Sequence, residues 1–424
     1  MSHHDQKEKA SAGATPGFYV EPVRPQPHSE AENAQRLMTG AAWDEFCERL
    51  KRAGKHLLDG GFAMEPIDYA DGFHYLAGLV GTGIEQALTF ATPDLPRFFR
   101  NPDTRSKWGG ENPDNLYLWT KIRPDRTYRV TGTLSNCREI LFELHDGYMQ
   151  LGDVKVSKPL AASQLVLNPD RSFEIIISAE KHDGNWLELL PEYNYLLVRQ
   201  YLYDWATERP TDLHIVQVGG EGLAPPPLTP GRMAELLDEA GLWTEVSAEH
   251  WRHWMWEALK SFRKGEIAGP SSYAGGIQGL HYGNAYFVVE PDEAQIIECT
   301  VPDARYWHFM LHNNCFVSLD YISHQSCLNG KQMHLDADGK ARLVIAHRDP
   351  GVPNWLDTCG HRTGMIQYRW LWVKDSPVIT TKVVPFKDLR QQLPPGTPTV
   401  TAAERRQAIA VRQHHMTKWR EPYC

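Results

Sequence analysis

From Glu30 to Asp59 apolar residues recur three and four positions apart: Leu37, Trp43, Phe46, Leu50 and Leu57-Leu58. This spacing predicts a helix, stopped by Gly60-Gly61. Tyr69 to Phe99 continues as helix, broken at Pro93 and Pro96. From Asp114 the period changes. Leu116–Trp119, Thr127–Thr133, Ile140–Leu144, Phe173–Ile177 and Leu196–Tyr203 are short β-branched or aromatic runs bounded by Pro-Asp, Asn-Pro-Asp or Asp-Gly turns. They predict strands. Gly219 to Pro230 is a Gly/Pro-rich linker, with Thr229 as N-cap and Pro230 at the first helical position. The helix that follows is expected to break near Gly241 and run on toward Phe262. Its second part carries Trp251, Trp254, Met255, Trp256, Leu259 and Phe262, a stripe suited to packing on a sheet and, less often, to lining a pocket.

Strand texture returns at Phe287–Val289, Ala294–Thr300, Tyr306–Leu311, Phe316–Leu319, Ala341–Ile345, Ile366–Val373 and Val378–Val384. Ala402 to Trp419 reads as a charged helix, expected as a surface arm or oligomer contact. The predicted organisation is a disordered tail (1–29), a helical region (30–112), a first β unit (113–220), a helical linker (221–280), a second β unit (281–390) and a C-terminal helical arm (391–424). The fold class is mainly β with helical ends and linker, built as two related antiparallel β-sandwich, jelly-roll-like units.

Four matches, in order, support a duplication. Pro124–Tyr128 parallels Pro302–Tyr306, and Ser172–Ile177 parallels Ala341–Ile345. Asp183-Gly184-Asn185-Trp186-Leu187 parallels Val352-Pro353-Asn354-Trp355-Leu356, and Val198–Tyr201 parallels Tyr368–Leu371. The period is too long for a solenoid. The repeated Arg199 and Arg369, like the repeated Asn-Trp turns, have a structural reading beside any chemical one.

Composition narrows the function classes. The net charge of -9 argues against nucleic acid or an anionic membrane as partner. No stretch reaches the roughly 20 apolar residues of a membrane span, and the N-terminus shows no secretory signal. The seven cysteines form no C-x-x-C pair, so reduced thiols and a cytoplasmic location are expected. His3 and His4 read as tail. The 14 tryptophans and 17 tyrosines suit either a β core or a grip on aromatic small molecules. Homo-oligomerisation is open.

Trp307–Asn313, Ser318–Tyr321, Asp336–Gly339, Pro353–Thr358 and Arg369-Trp370 resemble the strand signature of bacterial proteins containing the "domain of unknown function 1214", which is often paired with domain of unknown function 1254. Pro113–Tyr117 and Asn185–Leu187 resemble members that carry the motif twice. The resemblance implies a jelly-roll-like β fold. It implies no general reaction and no agreed catalytic residues.

No dinucleotide fingerprint, Walker loop, G-x-S-x-G or H-E-x-x-H is present, so cofactors and metal are expected to be none. Gly275–Gly279 is glycine-rich without a nucleotide context and reads as a loop or lid. His308 and His312, four apart on a strand, would stand roughly 13 Å apart, too far to share one ion. The second β unit is enriched in histidines without a match in the first: His308, His312, His324, His347 and His361. The candidate catalytic set is therefore His308, His312, Tyr321, His347 and Arg369. The candidate substrate contacts are Trp119, Trp251, Trp254, Trp307 and Asn313. The functional expectation is a cofactor-independent acid–base lyase, retro-aldol-type or dehydrating, on a hydrophobic hydroxylated aromatic or steroid-like molecule. The rival is a non-catalytic small-molecule or carbohydrate-binding β-sandwich protein.

Overall fold

The computed structural model describes residues 20–58, 61–89, 92–272, 276–375 and 377–420. The expected tail before residue 20, the stop at Gly60, the Gly275 end of the glycine loop and Cys424 lie outside these residues. Helices α1 (Glu30–Met38), α2 (Ala41–Leu58) and α3 (Pro66–Ile84) come first. The first β unit follows: β1 (Phe99–Arg100), β2 (Asn115–Lys121), β3 (Tyr128–Thr133), β4 (Glu139–His145), β5 (Leu160–Ala161), β6 (Ser172–Ser178), β7 (Trp186–Glu188), β8 (Tyr195–Tyr201) and β9 (Leu213–Gln217). Helix α4 (Pro230–Leu259) bridges to β10 (Leu280–Val288), β11 (Glu293–Thr300), β12 (Tyr306–His312), β13 (Cys327–Asn329), β14 (Lys340–Ala346), β15 (Trp355–Asp357), β16 (Thr363–Leu371) and β17 (Ile379–Pro385). Helix α5 (Ala402–His415) closes the chain.

The two β units are copies, strand for strand. Sheet order β2-β8-β4-β5 in the first repeats as β10-β16-β12-β13 in the second. Likewise β7-β6-β3-β9 repeats as β15-β14-β11-β17. Each unit is a two-sheet sandwich, antiparallel apart from one parallel pair, β6 with β7 and β14 with β15. Ile140, Phe142, Leu144, Ile175, Leu196 and Val198 fill the first sandwich. Trp307, Phe309, Leu311, Leu343, Tyr368 and Trp370 fill the second.

The repeated Asn-Trp turns do the same work twice. Asn185 Oδ1 accepts from Val166 N at 2.7 Å, and its amide donates to the Val166 and Glu174 carbonyls. Asn354 Oδ1 accepts from His334 N at 2.8 Å, and its amide donates to the His334 carbonyl. Trp186 and Trp355 each donate to a strand-end carbonyl, Ser178 at 3.2 Å and Ala346 at 2.9 Å. Three of the four sequence matches are in register. The first is not. Pro124-Asp125 precedes β3, whose counterpart is β11 after Pro291-Asp292, whereas Pro302-Asp303 precedes β12. A turn signal recurs before many strands, so it aligns poorly.

The two sandwiches meet through β2-β8-β4 of one and β10-β16-β12 of the other. Tyr201 and Tyr306 pack ring on ring at 4.8 Å, with Leu141, Leu280 and Leu371 around them. Arg138 and Arg305 are counterparts: each backbone N–H bonds the carbonyl at the matching position of its sheet, Tyr201 or Leu371. The Arg138 side chain donates to the Arg305 carbonyl at 2.7 Å, and Arg305 donates back to the Arg138 carbonyl. Reciprocal contact between equivalent residues is the mark of an approximate twofold.

The helices differ from expectation in four places, the first being that the run expected to reach Phe99 ends by Thr89, with Phe99 itself in β1. The first helix is two, turned at Thr39-Gly40. Helix α4 does not break at Gly241: it is continuous, and Gly241 is where α2 packs closely, a Cβ there meeting Arg49 Cδ at 2.9 Å. Helix α5 is a clamp and not a free arm. Its Arg405 pairs with Asp349 at 2.9 Å, and His415 stacks on Trp205 of the first unit at 5.1 Å. Phe316–Leu319 is an irregular turn with one bridge, His312 to Ser318, because Phe316 takes a positive φ of 59°. No helix among the described residues is long and apolar enough to cross a membrane.

Because each Asn side chain satisfies buried backbone groups, Asn185→Ala and Asn354→Ala should each destabilise by about 2 kcal/mol. Chemical denaturation measures this. An unchanged midpoint for either variant would contradict the shared structural role.

Candidate functional site

Each inner strand alternates, one side chain into its own sandwich and the next toward the other unit. The second set is where polar residues collect. In β8, Arg199 lies between Tyr117 of β2 and Leu141 of β4. In β16, Arg369 lies between Tyr282 of β10 and His308 of β12. The duplication therefore matches Tyr117 with Tyr282, Arg199 with Arg369, Leu141 with His308, Glu143 with Met310, and His145 with His312.

Both arginines line one cavity of about 130 Å³ between the sandwiches. That is close to the volume that holds a single benzene ring. Its walls are Trp108, Trp119, Tyr148 and Trp251 on the aromatic side, and Glu111, Asn112, Tyr117, His145, Arg199, Tyr282 and Arg369 on the polar side. Trp119 and Tyr148 pack at 5.0 Å, and Trp108 and Trp251 at 6.2 Å. Gly109 and Gly110 turn the chain along the wall at positive φ of 64° and 58°. A Cβ on Gly110 would lie 2.4 Å from the Phe316 ring, so only glycine fits there.

Arg199 pairs with buried Glu143 at 2.9 Å. Burial works against its charge, but the Glu143 carboxylate more than offsets this and keeps the guanidinium protonated. Arg369 donates to His308 Nε2 at 3.2 Å, to Met310 Sδ at 3.0 Å and to the Gly110 carbonyl. His308 Nδ1 stands 3.5 Å from Asp114 Oδ2. Asp114 in turn accepts from Tyr306 at 2.6 Å, Asn329 at 2.6 Å and Trp205 at 2.8 Å. Burial pushes the Glu111 carboxyl up, against the pull of Lys107 and the Ser318 hydroxyl.

Several buried polar atoms in this wall have no hydrogen-bond partner among the described residues: Glu111 Oε2, Asn112 Nδ2, Trp119 Nε1, His145 Nε2 and Trp251 Nε1. Each such atom ordinarily costs about 1–3 kcal/mol. Together they make this cavity the candidate site, offering indole and amide donors beside carboxyl and imidazole acceptors.

Of the residues proposed from sequence, Arg369, Trp119 and Trp251 line this cavity, and His308 stands directly behind Arg369. The others do not line it. His312 is fully buried against the Phe316 ring at 5.1 Å. Tyr321 is buried beneath Lys107, whose Nζ sits 4.5 Å from its ring. His347 ties a loop down, Nε2 to the Val289 carbonyl at 2.8 Å and Nδ1 to the Thr358 hydroxyl at 2.9 Å. Trp307 points into the second sandwich, because it alternates with His308. Trp254 stacks on Phe316 at 4.8 Å, and Asn313 holds the following turn by accepting from Cys315 N and Val317 N. One of the five histidines expected to be particular to the second unit, His312, has its counterpart in His145 of the first. Glu111, Asn112, Tyr117, His145, Arg199 and Tyr282 were missed. Extending the Arg199/Arg369 match to the neighbouring strands would have found three of them.

Burial holds the histidines of this interior neutral: His308 down to about 4, His145 to about 3 and His250 to about 4. The unfolded chain takes up these protons near pH 6.5, the folded chain only near pH 4 or below. Their stabilisation is thus complete above pH 6.5 and lost as the pH falls toward 4. His361 runs the other way. Burial opposes its charge, but hydrogen bonds at 2.9 Å to Asp68 and Asp71 win and raise it to about 9. Its contribution is complete below pH 6.5 and lost as the pH rises through 9. Melting temperature should therefore peak near pH 6.5–7, fall steeply toward pH 4 and more gently toward pH 9. A His361→Asn variant should lose only the alkaline slope, and a flat acid limb would contradict the buried neutral histidines.

No family model matches the chain, and no curated protein matches it. Among solved structures, an uncharacterised protein from Burkholderia cenocepacia is 32% identical, with a TM-score of 0.78, over 84% of this chain and 99% of that one. The VPA0106 protein from Vibrio parahaemolyticus, at 9% identity and a TM-score of 0.41 over 74% of this chain and 98% of that one, is too distant to carry an argument. The chain belongs to the same family as the uncharacterised Burkholderia cenocepacia protein.

Proposed function

We propose that the chain is a cofactor-independent acid–base enzyme, a lyase of the retro-aldol or dehydrating type, acting in the interfacial cavity on a hydroxylated aromatic small molecule. The observation that carries this reading is the set of unpartnered polar atoms around an aromatic-walled cavity. The cavity volume favours a single-ring body over a steroid-like one. Glu111 is the acid–base group of this reading, because a carboxyl raised by burial is both a better proton holder and a better base. In a retro-aldol step it takes the substrate hydroxyl proton. The adjacent C–C bond breaks as the carbonyl forms, and the electron pair moves into an enolate. The unpartnered donors Asn112 Nδ2, Trp119 Nε1 and Trp251 Nε1 stabilise that oxyanion, and protonated Glu111 returns the proton to carbon.

The likeness to proteins containing the domain of unknown function 1214 supports the sandwich fold of this reading and not its reaction. A cytoplasmic setting is included, supported by six free thiols among the described residues. Self-association is included through exposed Met38, Trp43 and Leu58 on the first two helices.

The test is a panel of single-ring aryl β-hydroxy ketones, with aldehyde release followed by chromatography. The expected result is turnover by the full chain that drops by about 100-fold or more in Glu111→Gln. Binding of panel members without any aldehyde release would overturn the enzyme in favour of a non-catalytic binding protein.

A further inference from the structure

The duplication supplies an internal comparison that the cavity itself does not. Arg199 and Arg369 are the same residue in two copies, and their surroundings have diverged at two positions. Where Arg199 has Glu143, Arg369 has Met310. Where Arg199 has Leu141, Arg369 has His308. The first copy therefore neutralises its arginine inside the protein, at 2.9 Å. In the second the equivalent carboxylate is replaced by a thioether, and no ion pair to Arg369 exists among the described residues. Asp114 reaches it only through the His308 ring. Glu111, the remaining carboxyl of the wall, accepts from the Ser318 hydroxyl; the Arg369 charge acts on it across the cavity without an ion pair. Arg369 is nonetheless buried, with 5% of its surface exposed. A buried guanidinium without a carboxylate is costly unless a ligand brings the charge.

We infer that the molecule taken up by this cavity carries a carboxylate, which sits on Arg369 and plays the part that Glu143 plays for Arg199. This rests on the reading of the cavity as the ligand site and names the class of ligand it takes. Arg369 donates to His308, Met310 and the Gly110 carbonyl, three of the five N–H groups of a guanidinium, so donors remain for a planar, two-pronged anion. The Tyr282 ring packs against the guanidinium at 5.5 Å and holds its plane. The ligand class is then a single-ring aromatic acid bearing a hydroxyl. Arg199, already neutralised, is a positioning residue that holds Tyr117 and shapes the opposite wall.

A matched pair of probes tests this: 4-hydroxybenzoate and 4-hydroxybenzyl alcohol, titrated into the full chain by calorimetry with tryptophan fluorescence as a second readout. The acid should bind about tenfold or more tightly than the alcohol. Arg369→Met should remove that preference while keeping alcohol binding. Met310→Glu, which rebuilds in the second copy the ion pair of the first, should do the same in a protein that keeps its arginine, so a folding defect in one variant leaves the other to decide. Equal affinity for both probes, or a preference that survives Met310→Glu, would overturn the carboxylate and leave the cavity reading standing. Failure of both probes to bind at all would overturn the cavity reading itself.

Discussion

The structure depends on one constraint: the charged faces of two sheets are buried against each other. β4 and β12 are buried along their whole length on both faces, yet one face of each carries Glu143 and His145, or His308 and His312. Burying such a face is costly unless its polar and charged groups find partners at close range. Glu143 with Arg199, and Asp114 with His308, Tyr306 and Asn329, provide that matching. The approximate twofold puts both arginines on one cavity, and the segment between β1 and β2 and helix α4 close it with Trp108 and Trp251. The fold and the site thus have one origin, the pairing of two copies through their polar faces.

Duplication followed by divergence explains how a single cavity acquired unlike ends. In the first copy the arginine is locked by its own carboxylate and does structural work. In the second, Met310 and His308 stand where the first has Glu143 and Leu141, and the same guanidinium lines the cavity without an ion pair among the described residues. Residues conserved between the copies, such as Asn185 and Asn354, hold the sandwich. Positions that differ between them, Glu143 against Met310 above all, set the two ends of the cavity apart.

Much of the fold was legible from hydrophobic period alone. The central strands of each sheet, the linker helix with its Thr229 cap and three of four duplicated segments were readable because each reports a local preference, whereas short edge strands such as β5, β7, β13 and β15 were not. The continuity of α4 through Gly241 was not, because tertiary packing on α2 overrides a weak local break. The site was less legible. Alternation along Glu139–His145 reads as one buried and one solvated face, and nothing local says that a second sheet covers the second face. Arg199 and Arg369 were noticed as a repeat with a structural reading beside a chemical one; only Arg369 entered the candidate set, although both line the cavity. His347, Tyr321 and Trp307 were chosen for their chemistry, and their strand parity or loop anchoring turns each away from the cavity.

The central claim is that the space between the two copies is the ligand site and that Arg369 anchors the ligand there. A crystal structure of the full chain soaked with 4-hydroxybenzoate tests it most directly. The account predicts density for one ring between Trp119 and Trp251, with its carboxylate within hydrogen-bond distance of the Arg369 guanidinium. An empty cavity with the acid bound elsewhere, or a ring bound with its carboxylate on Arg199, would contradict it.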